Sequence, residues 1–279
     1  MDKIKILVAS HKPDKVYCDD VYTPIHVGRA ISKYKEEMAD MIGDDTGDNI
    51  SAKNGTYCEL TATYWAWKNL KDVEYVGLAH YRRYFETKFT NGNVDKIFES
   101  CDVVIAQPYL HDRYNEMKMA RTLVMEDEVI FLKVFKKLYP EYEQTLIDYL
   151  YGFKDYPYNM FVMKRQTFDE YCTFLFAILT ECEKLMKPLP YTTSNRRLGY
   201  IAEYLLPVFC LHHHLRIRTE PVVSFLGDKG DGSRNMKQEI KIEVLKKIYD
   251  KHKPTCIEDI CMQSVLVGLK NDGLKVDWL

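Results

Sequence analysis

The chain has 279 residues, of which 46% are hydrophobic and 13% aromatic, so it can bury one large core or two small ones, and disorder is not expected. Its 39 basic and 41 acidic side chains give a formal net charge of -2, which argues against a nucleic-acid-binding protein because such proteins need a strongly basic face. Its 21 tyrosines suit contacts with sugars and bases, although core packing explains many of them equally well.

The eight cysteines are scattered and form no C-x-x-C pair, so the sequence indicates neither a zinc site nor a compact disulfide framework. Reduced thiols fit the cytoplasm best. The apolar run at residues 3–10 is too short for the central segment of a signal peptide, and no stretch approaches ~18 apolar residues. We therefore expect a cytoplasmic protein that does not cross a membrane.

Strand-like and helix-like segments alternate along the chain. Residues 3–10 form an apolar, β-branched run that ends before Pro13, so the first strand delivers His11 to a loop. Further strands are predicted at 74–79, 101–106, 160–163 and 215–226, and helices at 31–41, 57–70, 126–151 with a break near Pro140, 168–186 and 198–211. This alternation predicts an α/β fold, in which ligands bind beyond the ends of the strands.

The composition changes after the last predicted strand. Residues 227–233 are rich in glycine and predict a flexible hinge, and lysine-bearing helical patterns follow at 236–251 and 257–269. We place a domain boundary here, with a catalytic domain at 1–226 and a linker with a small C-terminal helical extension at 227–279. The lysines favour peripheral contact with an anionic inner membrane leaflet, and packing onto the catalytic domain or a dimer contact explains them as well.

The string His80-Tyr81-Arg82-Arg83-Tyr84 follows the strand at 74–79. Two adjacent guanidiniums suit a diphosphate, which they hold by paired hydrogen bonds, and they stabilise a departing nucleotide. If the strand continues, only one of Arg82 and Arg83 points inward because side chains alternate along a strand. The alternative is that both arginines are surface charges paired with nearby acids.

The segment 43–49 is a loop of glycines and short polar side chains with three carboxylates, Asp44, Asp45 and Asp48. Carboxylate oxygens are the ligands that Mg²⁺ and Mn²⁺ prefer, although the same residues also cap helices or bind a ribose. The spacing is not that of an EF-hand, because Gly47 follows too soon. A nuclease or phosphatase with two metals on these aspartates needs further carboxylates from other strand ends.

A third group of polar residues lies in the predicted helix that starts near residue 198. Arg196, Tyr200 and Glu203 lie near one helical face by their three- and four-residue spacing. Glu203 suits the general base for an acceptor hydroxyl, a role that contributes ~10² to 10⁴ in rate. The alternative is a structural Glu203 paired with Arg196 or Arg197.

Several long strings of this sequence resemble one known family. The strings are IHVG at 25–28, GDDTGDNIS at 43–51, YCELT at 57–61, YWAWKN at 64–69, GLAHYRRYF at 77–85 and NMFVM at 159–163. Over about residues 3–225 the chain resembles the domain of unknown function 4422 family. That family occurs among bacterial capsular and exopolysaccharide biosynthesis proteins, is treated as glycosyltransferases and includes members assigned as β-1,3-galactofuranosyltransferases.

The resemblance implies a GT-A-like, Rossmann-like fold with a mixed, mainly parallel sheet flanked by helices. It implies an inverting transferase that takes galactofuranose or galactose from a UDP-sugar to a glycan or lipid-diphosphate-linked acceptor, with Glu203 as the base. The residues expected to contact the donor are His11, Asp44, Asp45, Asp48, Asn49, Glu59, Thr61, His80 and Tyr81, and those expected to contact the acceptor are Asn159, Arg196, Arg197 and Tyr200. The alternative is that Asn159 is a turn residue that precedes the next strand.

Many GT-A enzymes bind Mn²⁺ or Mg²⁺ with a D-x-D motif at a strand end, where this chain has His80-Tyr81-Arg82. We predict that Arg82 or Arg83 supplies the missing positive charge, so that no metal residues are assigned. The second interpretation of the whole sequence is a non-catalytic module of the same fold that binds a nucleotide-sugar or a glycan.

Overall fold

The structure is a computed structural model, and it describes residues 2–192, 194–225 and 253–261 together with the isolated positions 240, 244, 245, 269 and 273. The described residues fall into two compact units. The first contains 2–107, 156–173 and 213–225, and the second contains 108–155, 174–192, 194–212 and 253–261. The predicted hinge and most of the predicted C-terminal helices lie outside the described residues, so the domain boundary after residue 226 stays a prediction.

The strands are β1 Ile4–Ser10, β2 Tyr22–His26, β3 Ile42–Gly43, β4 Tyr75–His80, β5 Arg83–Phe85, β6 Val103–Ala106, β7 Tyr109–Leu110, β8 Lys154–Asp155, β9 Phe161–Lys164, β10 Ile217–Glu220 and β11 Val222–Ser224. The α-helices are α1 Asn54–Tyr57, α2 Leu60–Asn69, α3 Val94–Phe98, α4 Asn115–Thr122, α5 Met125–Leu138, α6 Glu143–Leu150, α7 Arg165–Leu185, α8 Arg197–His212 and α9 Ile257–Ile260. Short 3₁₀ turns occupy Arg29–Ile31, Ser51–Lys53 and Pro140–Tyr142.

The first unit is built on one nine-stranded sheet with the main order β10-β6-β9-β4-β1-β2-β3. Strands β3, β2, β1 and β4 are parallel to one another, and β6 is parallel to β10. Strand β9 pairs antiparallel with both β4 and β6, and β5 pairs antiparallel with β11. The predicted mixed, mainly parallel sheet is therefore confirmed, and its parallel strands share one carboxyl edge.

Alternation along the strands of this sheet makes its two faces different. Ile6, Val8 and Val162 belong to one buried cluster, while Phe161 of β9 stacks on Phe168 of α7 at a ring distance of 5.6 Å. Because consecutive residues of a strand point to opposite sides, Val162 and Phe161 serve different faces. Both faces of the sheet are thus covered, and polar groups are left to the strand ends.

The sequence pattern misses β2 and wrongly predicts a helix at 31–41. Strand β2 contains Pro24, which usually marks the edge or the end of a strand. It is tolerated because β3 pairs only with the last two residues of β2. The segment 31–41 forms separate turns in which only Met38 is buried among the hydrophobic residues, so a helix there has too small an apolar face.

The second unit is mostly helical and contains the two-stranded β7–β8 sheet. The break predicted near Pro140 is confirmed, because a 3₁₀ turn at Pro140–Tyr142 separates α5 from α6. Stacked aromatic rings contribute to its packing: Tyr142 stacks on His212 at 3.5 Å between ring centroids and on Phe174 at 5.0 Å. Residues 253–261 belong to this unit, where Ile257 is fully buried and its amide donates to Glu143 at 2.8 Å.

Candidate functional site

The carboxyl ends of β1 and β4 bring several polar side chains to one edge of the first unit's sheet. Register pairs Ala9 of β1 with His80 of β4, so His11 and Tyr81 leave neighbouring strands together. Their rings are 5.6 Å apart in an edge-to-face arrangement. Because β9 runs in the opposite direction, its amino end also reaches this edge, next to Asn159. The sheet topology therefore unites the β1, β4 and β9 ends that were predicted separately.

A cavity of about 540 Å³ opens beside this edge. Its lining combines four aromatic rings with charged groups from the loop after β1 and from the end of β4: Asp14, Lys15, Tyr17, Tyr81, Arg82, Tyr84 and Phe225. The volume lies within the range of ~300–1,000 Å³ that is typical of small-molecule sites. Flat rings together with two basic side chains suit a ligand that has both an aromatic base or sugar and an anionic group.

Arg82 is held in this cavity by Asp14. Its Nε and Nη2 donate to the same carboxylate oxygen at 2.7 and 2.6 Å. The hydrogen bond from Arg82 holds the pKa of Asp14 below its ordinary value, and the same pair raises the pKa of Arg82. The guanidinium also lies 5.0 Å from the ring centre of Tyr81. One of the two predicted arginines thus faces the cavity, and its present partner is an acid.

Arg83 has a different environment from its neighbour. Its guanidinium carbon lies 4.6 Å from the ring centre of Tyr158, and Arg83 opens β5, which pairs with β11. Nε of Arg83 is buried without a hydrogen-bond partner among the described residues. The structure therefore agrees with the expectation that the two adjacent arginines point to different surroundings, with Arg82 at the cavity.

His80 and Asn159 belong to a polar network at the same strand edge. Nε2 of His80 lies 2.9 Å from the carbonyl oxygen of Tyr158. Because a carbonyl only accepts, this contact places a proton on Nε2. Nδ2 of Asn159 donates to Oε1 of the buried Glu59 at 2.8 Å. Glu59 and Asn159, predicted for the donor and the acceptor respectively, therefore touch each other directly.

The backbone around this network is strained. Tyr158 has a φ of 82°, Asn159 of 51° and Cys58 of 53°, all in the left-handed region that favours glycine. Such conformations cost about 1–3 kcal/mol each and cluster at functional sites. Thr61, another predicted donor contact, is fully buried, and its hydroxyl donates to the carbonyl of Cys58 at 3.1 Å. Its observed contacts thus fix the start of α2.

The aspartates of the 43–49 loop have separate partners at the end of β3. Asp44 is fully buried and accepts hydrogen bonds from the amides of Gly28 at 2.7 Å and Arg29 at 3.0 Å. Gly28 has a φ of 69°, and a Cβ there would lie 2.7 Å from Asn54, so this turn requires glycine. Asp45 pairs with the guanidinium of Arg29 at 3.1 Å. Asp44 therefore organises a backbone turn, and a donor contact by it stays a prediction.

The other two predicted donor residues of that loop, Asp48 and Asn49, also make local bonds. Oδ1 of Asp48 accepts from the hydroxyl of Tyr64 at 3.2 Å, and Asn49 donates to the carbonyl of Gly47 at 2.9 Å. In the part of the chain that the structure describes, no three His, Cys, Asp or Glu side chains are grouped as metal ligands. The loop lies at the end of β3, with β1 and β2 between it and β4, so Asp45 is not gathered with Arg82.

Glu203 lies in the second unit, within a charged cluster of that unit. Nζ of Lys118 is 3.5 Å from Glu203 and 2.6 Å from the buried Asp155. Burial raises the pKa of Asp155, but the hydrogen bond from His111 and the charge of Lys118 outweigh it, and the pKa is lowered overall. A negative Asp155 therefore anchors the ammonium that lies beside Glu203.

The remaining predicted acceptor residues border α8 of the second unit. Arg197 is buried and bonds to Asp127 at 3.3 Å and to the carbonyl of Lys187 at 3.0 Å. Arg196 precedes the helix, is exposed and lies 5.7 Å from the ring centre of Tyr200. The predicted proximity of Arg196 and Tyr200 is therefore confirmed, and the observed contacts of Arg197 are structural.

Several residues of the cavity and the clusters are not predicted by the sequence. Asp14, Lys15 and Phe225 are loop residues without a motif, and Lys118 and Asp155 come from elements that carry no predicted function. The sequence does point to the loop after β1, because the predicted first strand ends there and ligands are expected beyond strand ends. The remainder depends on contacts between residues far apart in the chain, which a single sequence does not contain.

The fold and the site define an α/β protein with a cavity at the carboxyl edge of a mainly parallel sheet. The family described as a domain of unknown function (DUF4422) matches residues 5–214, and the chain belongs to that family. The structure is similar to the apo structure of WbbM, a bifunctional glycosyltransferase, with a TM-score of 0.70 and 28% sequence identity. The match covers 80% of this chain and 45% of the WbbM chain, so this chain spans less than half of WbbM.

The similarity to WbbM confirms the predicted GT-A-like fold. No curated protein matches the chain. Across the described residues, each helix is too short or too polar to cross a lipid bilayer.

Proposed function

We propose that this protein is a glycosyltransferase that moves a sugar from a nucleotide-sugar donor to a glycan or a lipid-diphosphate-linked acceptor. Galactofuranose or galactose carried by UDP is the preferred donor, and surface polysaccharide synthesis in bacteria is the proposed context. Membership of the DUF4422 family and the similarity to a bifunctional glycosyltransferase support the reaction class. The donor sugar follows from the family resemblance.

The observation that carries the proposal is the cavity of about 540 Å³ beside the ends of β1 and β4. Its tyrosines provide flat surfaces on which a nucleobase or a sugar ring stacks, and Lys15 and Arg82 provide positive charge for a diphosphate. In open α/β sheets the ligand binds beyond the carboxyl ends of the strands. We therefore assign the nucleoside diphosphate of the donor to this cavity.

We propose that the positive charge at the diphosphate comes from the protein itself. A guanidinium has only donors and cannot ligate a cation, so the string His80-Tyr81-Arg82 does not fit a metal site of the D-x-D kind. Transfer is therefore expected to persist in a chelator. Loss of transfer with EDTA and its recovery with Mn²⁺ would contradict this assignment.

In the proposed reaction the acceptor hydroxyl oxygen bonds to the anomeric carbon of the donor sugar while the bond from that carbon to the diphosphate breaks. The electron pair leaves on the nucleoside diphosphate, where Arg82 and Lys15 stabilise the developing charge. The hydroxyl proton passes to a general base, the role that the family resemblance implies for Glu203. Attack on the face opposite the leaving group inverts the anomeric configuration.

The test is a thermal-shift screen of UDP, UDP-galactose, UDP-galactofuranose and other nucleotide-sugars, followed by an assay of donor hydrolysis and transfer. A ligand that binds the folded state raises the melting temperature. We expect UDP-sugars to stabilise the protein and purified protein to hydrolyse or transfer them. Binding without turnover for every donor would instead support a non-catalytic binding module.

The proposed location is the cytoplasmic face of the membrane, where a lipid-linked acceptor is available. Membrane pelleting of the full chain and of a chain that ends at residue 230 tests whether the C-terminal segment supplies that contact. Equal pelleting of both chains would remove the segment from this role.

A further inference from the structure

The wall of the cavity contains an ion pair in which Asp14 occupies two of the guanidinium donors of Arg82. Nε and Nη2 of Arg82 both donate to Oδ2 of Asp14, at 2.7 and 2.6 Å. The other carboxylate oxygen accepts the backbone amide of Lys15 at 2.8 Å. The donors of a guanidinium fork suit a phosphate as well as they suit a carboxylate. Asp14 therefore occupies the donors that the diphosphate of a nucleotide would use.

A diphosphate and Asp14 cannot both make their best contacts with this fork. Both are anions, and a phosphate placed on Nε and Nη2 of Arg82 would lie within a few ångströms of the Asp14 carboxylate. Like charges at such a distance repel, and solvent screening reduces this effect without removing it. The Arg82 and Asp14 side chains are 32% and 25% exposed, so the pair is accessible for exchange.

The loop that carries Asp14 has no helix or strand, and side-chain contacts fix it near Asp19 and Tyr17. Asp19 fixes the loop because it accepts the amides of Val21 and Tyr22 and pairs with Lys88 at 3.1 Å. Residues 13–18 have no helix or strand between β1 and β2. Asp14 lies in this irregular part, so it can release Arg82 without breaking a strand or a helix.

We propose that Asp14 is an internal competitor for the donor diphosphate. It holds Arg82 before the donor binds and gives the guanidinium up to the nucleoside diphosphate in the cavity. When the diphosphate leaves after transfer, Asp14 takes Arg82 back and so favours product release. This inference rests on the proposed function, because it takes the cavity as the site of a nucleoside diphosphate.

The proposal predicts that removing the Asp14 charge strengthens nucleotide binding. Asp14→Asn keeps the size of the side chain and removes its charge. The Kd of this variant for UDP is expected to fall about two- to fivefold, because partly exposed ion pairs contribute free energies of that size. The gain should shrink at high salt because the competing charges are screened. Arg82→Ala should weaken UDP binding, and the gain from Asp14→Asn should be smaller in the Arg82→Ala background.

A matched control comes from a second Asp–Arg pair of the same sheet. Asp102 precedes β6 and pairs with Arg216 at 2.8 Å, at the edge opposite to the carboxyl ends of the parallel strands. Asp102→Asn breaks an ion pair of the same type, and it should leave the Kd for UDP unchanged. Asp14→Ala is a second variant, expected to act in the same direction as Asp14→Asn, and melting curves verify that each variant is folded.

The measurement is isothermal titration of UDP and of inorganic pyrophosphate into the full chain. Unchanged or weaker UDP binding by folded Asp14→Asn overturns the competitor role, and weaker binding would make Asp14 a direct ligand instead. In that case UDP binding by the unaltered protein leaves the proposed function standing. If neither the unaltered protein nor Asp14→Asn binds UDP, UDP-sugars or pyrophosphate, the proposed function and this inference fail together.

Discussion

Arg82 and Arg83 show that two identical neighbours take different roles when the chain places them on opposite sides of a strand end. Arg82 faces a cavity with Asp14 and Tyr81, and Arg83 lies on the ring of Tyr158. A guanidinium fork binds two oxygens at once, whereas an ammonium acts as a point charge. The geometry of the fork, beyond its charge, should therefore matter at residue 82.

Arg82→Lys keeps the positive charge and removes the fork. We expect the Kd for UDP to rise about tenfold, because charge-assisted hydrogen bonds of this kind contribute about 1.5 kcal/mol or more. Titration calorimetry measures the change. Arg216→Lys is the control, since Arg216 pairs with Asp102 at the opposite edge of the sheet and should leave the affinity unaltered. Equal affinities of Arg82→Lys and the unaltered protein would show that the fork is not used.

Glu203 is the second residue whose role is decided by its neighbours. The ammonium of Lys118 lies 3.5 Å from Glu203, and Asp155 holds that ammonium at 2.6 Å. A general base takes up a proton on its carboxylate, whereas a carboxylate paired with an ammonium contributes to structure. The cluster thus fits either a base or a purely structural ion pair, and kinetics distinguishes the two.

Glu203→Gln is expected to lower kcat by about 10² to 10⁴ while the Kd for the donor stays the same, because a base acts on the acceptor proton. Steady-state transfer assays and UDP titrations measure the two quantities. The control is Glu181→Gln, which breaks an exposed Glu–Lys pair with Lys184 on α7. Near-normal turnover of folded Glu203→Gln would remove Glu203 from the role of base.

At the scale of elements, a buried hydrogen bond joins the turns before α2 and β9. Asn159 donates to Glu59, and both flanking turns contain left-handed residues that are not glycine. The Tyr158 carbonyl that contacts His80 belongs to one of these turns. The bond between Glu59 and Asn159 therefore helps to hold the orientation of His80 at the strand edge.

Two substitutions of Asn159 separate the hydrogen bond from the backbone strain. Both Asn159→Gly and Asn159→Ala lose the bond to Glu59, but only glycine adopts the φ of 51° without a Cβ penalty. Asn159→Ala is thus expected to be about 1 kcal/mol less stable than Asn159→Gly. Urea unfolding measures the difference. Equal stabilities would show that the strain is relieved elsewhere in the turn.

Most of the strands that the sequence predicts have a strong local pattern. The apolar runs of β1, β4, β6 and β9 have it, while β2 contains Pro24 and depends on its neighbours in the sheet. The site follows the same rule. Arg82 belongs to a motif, but Asp14 is 68 positions away in the chain, and Glu59 lies 100 positions from Asn159. Such pairs come from topology, which no local pattern records.

At the scale of the whole molecule, buried charge makes stability depend on pH. In the second unit Glu128 is buried on α5. Its pKa is raised to about 7, mainly by burial and to a smaller extent by the charge of the nearby Glu116. Burial also raises the pKa of Glu116. The pKa of Tyr151 rises to about 12, mainly through burial and further through the nearby Glu116 and Glu128. The folded protein therefore holds a proton on Glu128 over a range in which the unfolded chain has lost it.

The sign of this effect follows from proton binding. Between pH 4.5, the ordinary pKa of a glutamate, and about 7, the folded state binds more protons than the unfolded state, so the contribution of Glu128 to stability falls as the pH rises. At about 1.4 kcal/mol per pH unit the loss reaches about 3 kcal/mol above pH 7. Glutamine at position 128 does not ionise, so Glu128→Gln avoids this loss of stability.

Glu128→Gln is therefore expected to be more stable than the unaltered protein at pH 8, by up to about 3 kcal/mol, and nearly equal to it at pH 4.5. Denaturant unfolding of both proteins across this range gives the difference directly, and the other ionisable groups cancel because they are common to both. Glu170→Gln, an exposed glutamate on α7, should show no such dependence on pH. A stability difference that stays constant from pH 4.5 to pH 8 would mean that Glu128 keeps an ordinary pKa in the folded protein.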